Sequence, residues 1–144
     1  MSRRFTRDET GATIVEFALA MPTLLLILLV CVDFGRAANA YVTVANASRE
    51  GVRYAVQHPG ADPAMVKAYL GTRVAPLDPS ALVVTLTPTP TTDARWTAAQ
   101  PAPLQVTVAV SYQWSATTWF TSAFFAAASG SQTFTASSVM ETVR

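Results

Sequence analysis

The chain has few of the residues that build metal or catalytic sites. Cys31 is its only cysteine, His58 its only histidine, and Lys67 its only lysine among ten basic residues. Zinc sites usually need several His or Cys ligands, and a histidine-based triad needs an acid and a nucleophile folded around the histidine. A single cysteine also excludes a disulfide within the chain. We therefore expect no cofactor, no metal site and no enzymatic role.

Charge is equally scarce, since 13% of residues are charged and the net charge is +1. There is no basic patch, so nothing supports nucleic-acid binding. Apolar residues make up 51% and are concentrated in residues 12–32, where Glu16 is the only charge. As a helix this run measures about 30 Å, the thickness of a bilayer's hydrocarbon core. It predicts a membrane span; a buried helix of a soluble protein would rarely contain "LLLILLVCV" with no polar face.

The N-terminal tail "MSRRFTRDET" is rich in arginine, which favours a cytoplasmic N-terminus and an outward-facing remainder. A secretory signal peptide cleaved after Ala40 is one interpretation, because "AANA" at 37–40 has the required small residues. Asp33 and Arg36, however, separate the apolar run from that site. "SRRF" suggests a twin-arginine signal with its phenylalanine one place early. An uncleaved signal anchor is a further alternative.

A prepilin leader explains more of these residues. Such leaders are short and polar, end in glycine, and are cut on the cytoplasmic side just ahead of the apolar helix. Gly11 would be the last leader residue, Ala12 the new N-terminus, and Glu16 the fifth residue of the mature chain. "G-ATIVEF" resembles the type IV prepilin pattern in this respect.

About 45 residues from Gly11 onward contain a series of motifs in fixed order, namely Gly11, "VEFAL" at 15–19, Pro22, the leucine run, "DFGR" at 33–36 and "ASREGVRYA" at 47–55. They are similar to the N-terminus of TadE-like proteins, the minor pilins or pseudopilins of tight-adherence (Tad/Flp) pilus systems. The C-terminal half is similar more loosely, through "LQVTVAVSYQW" at 104–114 and a final strand ending "SSVMETV".

The resemblance implies a structural part in assembling or initiating an adhesion pilus. It implies processing by a prepilin peptidase between Gly11 and Ala12, and an assembly or register role for Glu16 and Phe17. The expected partners are that peptidase, other pilin or pseudopilin subunits, an inner-membrane assembly platform and membrane lipid. The protein would be a single-pass protein of the bacterial inner membrane with a periplasmic C-terminal domain. An unprocessed single-span envelope protein with a partner- or ligand-binding outer domain is the alternative, followed by an enzyme secreted after cleavage at Ala40.

Two residues inside the apolar run have physical consequences of their own. A carboxylate at Glu16 costs about 3 kcal/mol in the acyl region, which a positive amine at Ala12, one helical turn away, would offset. The amine could belong to the same chain or to a neighbouring subunit, and a protonated glutamate is a third option. Pro22 removes a helical hydrogen bond and predicts a kink or local loosening. Gly11 would give the peptidase close access to an extended backbone, or would simply precede the helix start.

The helical pattern continues to about Val56 along a stripe that includes Ala38 and Tyr41. Ala47, Gly51 and Ala55 form a row of small residues that would allow close approach of another pilin or of the protein's own sheet. Both alternatives stay open at the level of sequence. The charged residues Arg49, Glu50 and Arg53 indicate a solvated cluster and not a site.

The long helix and the residues that follow it predict an α+β, pilin-like fold. In this fold the long helix packs on a small antiparallel sheet of about three strands, beside a short helix. The boundaries are a leader at 1–11, the long helix at 12–57 and a periplasmic domain at 58–144. Asp62 and Pro63 predict the start of the short helix. Strands are predicted at 82–87, 104–114 and 131–142, and a loop containing Trp96 at 88–103. "TTWFTSAFFAAA" predicts a short amphipathic helix, through Trp119, Phe120, Ala123 and Phe124, that covers the core or lies at the membrane surface.

Overall fold

A long helix dominates the molecule. The computed structural model describes residues 9–75, 77–89, 104–117, 122–123 and 131–142. Helix α1 spans Glu9–Gln57, 49 residues, which gives it a length of about 73 Å. It continues through Pro22 without interruption, and it begins ahead of Gly11. Gly11 therefore lies within the helix and does not precede the helix start.

A short helix follows after a tight turn. Gly60 has a φ of +89°, a backbone conformation that side chains other than glycine's rarely adopt. Helix α2 then spans Pro63–Gly71, and the Asp62 side chain accepts a hydrogen bond from the Met65 backbone N–H at 2.7 Å. This is the predicted cap, and it satisfies one of the N–H groups that a helix start leaves without a partner.

Three antiparallel strands complete the fold in the order β1-β2-β3. Strand β1 is Leu82–Thr87, β2 is Gln105–Trp114 and β3 is Gln132–Glu141. Leu86, Val108 and Ser138 lie opposite one another across the sheet. The predicted α+β arrangement of a long helix, a short helix and a three-stranded sheet is confirmed, with strand ends that differ from the prediction by about one residue.

The core lies between the sheet and the C-terminal half of α1. Because side chains alternate along a strand, β2 buries Val106, Val108 and Val110 on one face. Helix α1 packs over β2 and β3, while α2 packs against α1 and β1. The buried cluster consists of Val44, Ala47, Val52, Ala55, Ala61, Val66, Leu70, Val74, Leu82, Leu86, Val106, Val108 and Val110.

The small-residue row of α1 packs on the protein's own domain. Ala47, Gly51 and Ala55 are all buried. A Cβ added to Gly51 would lie 3.2 Å from Val108 Cγ1 and 3.3 Å from Val66 Cγ1. Docking onto the protein's own sheet is therefore the use of this row in the structure. The buried stripe is also narrower than the sequence predicted, because Tyr41 is 55% exposed and Ala38 is exposed too.

Some predicted features lie outside the described residues. These are Trp96 with most of its loop, and Trp119, Phe120 and Phe124 of the predicted amphipathic helix. Ala123 is described, is helical and is exposed.

Candidate functional site

The N-terminal half of α1 presents an apolar surface without a partner in the domain. No residue between Gly11 and Val32 is buried. Ile14, Phe17, Leu19 and Leu24 are each more than 60% exposed. An 18-residue window within this helix has a mean hydropathy of 2.5 and is entirely unburied, so the helix is long and apolar enough to cross a membrane. Such a contiguous surface is too large to face water in a stable monomer.

The residues predicted for processing lie at the start of this surface. Gly11 and Ala12 are exposed in the first turns of α1. A Cβ added to Gly11 would meet no atom within 4 Å. The fold therefore does not require glycine at this position, in contrast to Gly51. A requirement for glycine at position 11 would have to come from another molecule.

Glu16 lies on the same face of α1 as Ala12, because residues four apart in a helix are neighbours. Their backbone positions are about 6 Å apart along the axis. Glu16 is exposed, and it forms no salt bridge with a residue that the structure describes. Phe17, the next residue, is 63% exposed. Both side chains are therefore available to a partner beyond the described part of the chain.

The apolar surface ends at an ion pair between a buried carboxylate and a half-exposed arginine. Asp33 is only 2% exposed, and Arg36 Nη1 donates a hydrogen bond to its Oδ1 at 3.3 Å. The same Nη1 also donates to Thr117 Oγ1. A carboxylate at this boundary is thus paired and covered, which offsets the cost of its burial. The ion pair was not predicted from the sequence, although the i, i+3 spacing of Asp33 and Arg36 is a signal for it.

A stacked group of side chains joins α1 to α2 at the far end. The Tyr54 ring stacks 4.2 Å from both His58 and Tyr69, and the Arg73 guanidinium lies 3.9 Å from the Tyr69 ring centre. The Tyr69 hydroxyl donates to Glu50 Oε1 at 2.8 Å, which raises the tyrosine's pKa. His58 Nδ1 lies 3.0 Å from the Tyr54 carbonyl oxygen. These contacts explain His58 and Glu50 as structural residues.

The exposed apolar half of α1, together with most of the stripe that packs on the sheet, matches a known protein family. Residues 11–53 match the model of the TadE-like protein family. Over residues 11–53 the chain is therefore similar to TadE-like proteins. The TadE-like segment (residues 11–53) begins at Gly11, includes Glu16 and Pro22, and ends four residues before the end of α1. The resemblance predicted from the sequence is confirmed for this segment, which is less than a third of the chain. No curated protein and no solved structure matches the chain.

Proposed function

We propose that the protein is a structural minor pilin, or pseudopilin, that takes part in assembling or initiating a tight-adherence type IV pilus. The observation that carries the proposal is the coincidence of the TadE-like segment with the exposed apolar half of α1 and most of its docking stripe. The apolar half anchors the chain in the bacterial inner membrane. The N-terminus is then cytoplasmic, and the sheet domain is periplasmic.

Processing by a prepilin peptidase removes residues 1–11. The bond between Gly11 and Ala12 lies within α1, so the peptidase has to unwind the first turn to reach the backbone. Glycine is the weakest helix former after proline, by about 1 kcal/mol relative to alanine. It therefore lowers the cost of unwinding at the cleavage position, and its lack of a side chain leaves the backbone accessible.

Glu16 acts after cleavage, when Ala12 carries an α-amine. The carboxylate pairs with the amine of a neighbouring subunit, and this pair sets the axial position of one helix against the next. Support comes from the exposure of Glu16 and from its lack of a salt bridge within the described residues. The adjacent exposed Phe17 packs against the same neighbour and shields the pair from lipid.

The processing step is tested with a substitution that the fold tolerates. Gly11→Val adds side-chain atoms where the structure leaves open space, and Gly35→Val does the same farther along α1. Each variant is expressed with a prepilin peptidase, and the mass of the mature protein is measured. We expect the parent and Gly35→Val to lose residues 1–11, and Gly11→Val to stay intact. A parent mass that is unchanged by the peptidase would contradict the proposal.

The assembly step is tested at Glu16, with processing as the internal control. We expect Glu16→Ala to be cleaved after Gly11 but to co-purify poorly with other pilin subunits. If Glu16→Ala were processed and assembled as efficiently as the parent, the register role of Glu16 would be wrong.

The same mass measurement distinguishes the remaining alternatives. An intact chain in the membrane would indicate an unprocessed single-span envelope protein whose domain binds a partner or ligand. A chain that begins at Tyr41 would indicate secretion.

A further inference from the structure

A small pocket lies where α1 leaves its apolar segment and meets the sheet. It has a volume of about 180 Å³. Helix α1 contributes two polar side chains to it, and the end of β2 contributes two aromatic rings. The lining residues are Arg36, Asn39, Ala40, Leu77, Tyr112 and Trp114.

The position of the pocket along α1 places it at the level of lipid headgroups. The apolar run ends at Val32, and Arg36 lies four residues beyond it, about 6 Å along the helix axis. The headgroup layer extends about 5–8 Å beyond the hydrocarbon core on each side. Tyrosine is enriched at this level of a membrane, and the half-buried Tyr112 lines the pocket beside the buried Trp114.

The polar groups of the pocket suit a phosphate. The Arg36 side chain is 52% exposed, and its Nη1 serves Asp33 and Thr117. Within the described part of the chain its Nη2 and Nε donate no hydrogen bond, and these two donors form the fork that binds phosphate oxygens in a bidentate manner. The amide group of Asn39 adds a further donor beside it.

Asp33 determines which class of headgroup the pocket favours. Its buried carboxylate pairs with Arg36 and offsets the guanidinium charge, so the pocket has little net charge. Recognition therefore depends on hydrogen bonds to phosphate oxygens more than on attraction to a net negative headgroup. The phosphate diester is common to zwitterionic and anionic phospholipids.

We propose that this pocket binds the phosphate diester of one phospholipid from the leaflet on the side of the sheet domain. The inference rests on the membrane anchoring proposed above and not on the pilus role. The bound lipid fixes the height of the domain above the bilayer. It has to be released when a subunit leaves the membrane.

The test uses the full chain in a non-ionic detergent. Dioleoylphosphatidylcholine is titrated in, and native mass spectrometry counts the lipids that stay bound. We expect one retained lipid in the parent and about tenfold weaker retention in Arg36→Gln, the factor typical of losing a charged hydrogen-bond partner. The matched control is Arg53→Gln, an exposed arginine about 26 Å farther along α1, which should retain lipid as the parent does.

A second variant covers the case in which Arg36→Gln unfolds the domain. Asn39→Leu lies at an exposed helical position and replaces the amide with a better helix former. We expect the same circular dichroism as the parent and about threefold weaker lipid retention.

Equal retention by the parent, Arg36→Gln and Asn39→Leu would overturn the proposal. Displacement of the lipid by an equal concentration of glycerophosphocholine would assign the pocket to a soluble phosphate diester and would also overturn it. The peptidase assay is carried out without added lipid. A negative result in the lipid-binding test would therefore leave the result of the processing test unchanged.

Discussion

Two glycines of α1 illustrate how one residue type serves two purposes. Gly51 lies where α1, α2 and β2 approach one another, and an added Cβ would come within 3.2–3.4 Å of Val108, Val66 and Leu70. Gly11 has open space around it. The first glycine is therefore required by the packing of the domain, whereas the second is not required by any contact in the described structure.

We expect Gly51→Leu to destabilise the domain by about 1–3 kcal/mol, because its side chain overpacks a core of buried apolar groups. Gly35→Leu is the matched control on the same helix, with no atom within 4 Å of the added Cβ. It should leave stability unchanged or raise it by up to about 1 kcal/mol through helix propensity. Thermal unfolding of the full chain in detergent, followed by circular dichroism, measures both. Equal stabilities for the two variants would contradict the packing role of Gly51.

At the scale of elements, α1 is held to the sheet by apolar packing and, among the described residues, by a part-buried hydrogen bond between two serines. Ser48 is 1% exposed, and its hydroxyl donates to the Ala45 carbonyl oxygen at 2.9 Å. Its Oγ also lies 2.9 Å from Ser138 Oγ on β3. Since Ser48 uses its proton within the helix, Ser138 donates to Ser48. This bond connects α1 to β3, one of the two edge strands of the sheet.

A double-mutant cycle tests that bond. We expect Ser48→Ala to cost about 1 kcal/mol, because Ser138 then loses its acceptor in a half-buried position. Ser138→Ala should cost a similar amount, and the double variant should cost less than the sum of the two. Chemical unfolding of the full chain in detergent gives the three free energies. Strict additivity would show that the two hydroxyl groups do not stabilise each other.

The contact between α1 and α2 predicts a pH dependence. The hydrogen bond to Glu50 is the largest cause of the raised pKa of Tyr69. The folded-state pKa of Tyr69 lies above the ordinary value of tyrosine, so the hydrogen bond adds to the free energy of unfolding. This contribution is complete at any pH below the ordinary pKa of tyrosine. It is lost as the pH rises through the folded-state pKa.

We expect Glu50→Gln to lower the pKa of Tyr69 toward its ordinary value, since a neutral amide oxygen accepts a weaker hydrogen bond from the tyrosine hydroxyl than a carboxylate does. Near-ultraviolet absorbance follows the ionisation of the four tyrosines. The difference between each protein and its Tyr69→Phe counterpart isolates Tyr69. An unchanged midpoint in Glu50→Gln would contradict the role of the Glu50 carboxylate.

At the scale of the whole molecule, one helix serves two environments. Its N-terminal half exposes apolar side chains all round, and its C-terminal half buries one stripe against the domain. The change occurs at Asp33, the first buried residue after Gly11. We infer that the membrane boundary and the start of the domain coincide at this residue.

The assignment of residues 12–32 to the bilayer can be tested with two equally exposed residues, one in each half of α1. Leu25 and Val42 are each 54% exposed. We expect Leu25→Arg to reduce retention in membranes after alkaline extraction, because arginine near the middle of a span costs about 3 kcal/mol on insertion scales. Val42→Arg should be retained as the parent is, since it lies beyond the span. Equal retention of both variants would contradict the assignment of residues 12–32 to the bilayer.

The amino-acid sequence by itself determined the features that depend on local pattern. The long apolar run with Glu16 as its only charge, the strict alternation in β2 and the Asp62-Pro63 start of α2 are each patterns of residues close together in the chain. Gly11, Glu16 and the rest of the TadE-like segment were recognisable for the same reason. Only the tertiary structure decided that Ala47, Gly51 and Ala55 face the protein's own sheet, that Tyr41 stays outside, and that Asp33 is buried beside Arg36. Those outcomes depend on partners far away in the chain, such as Val108 for Gly51 and Thr117 for Arg36, which helical periodicity cannot specify.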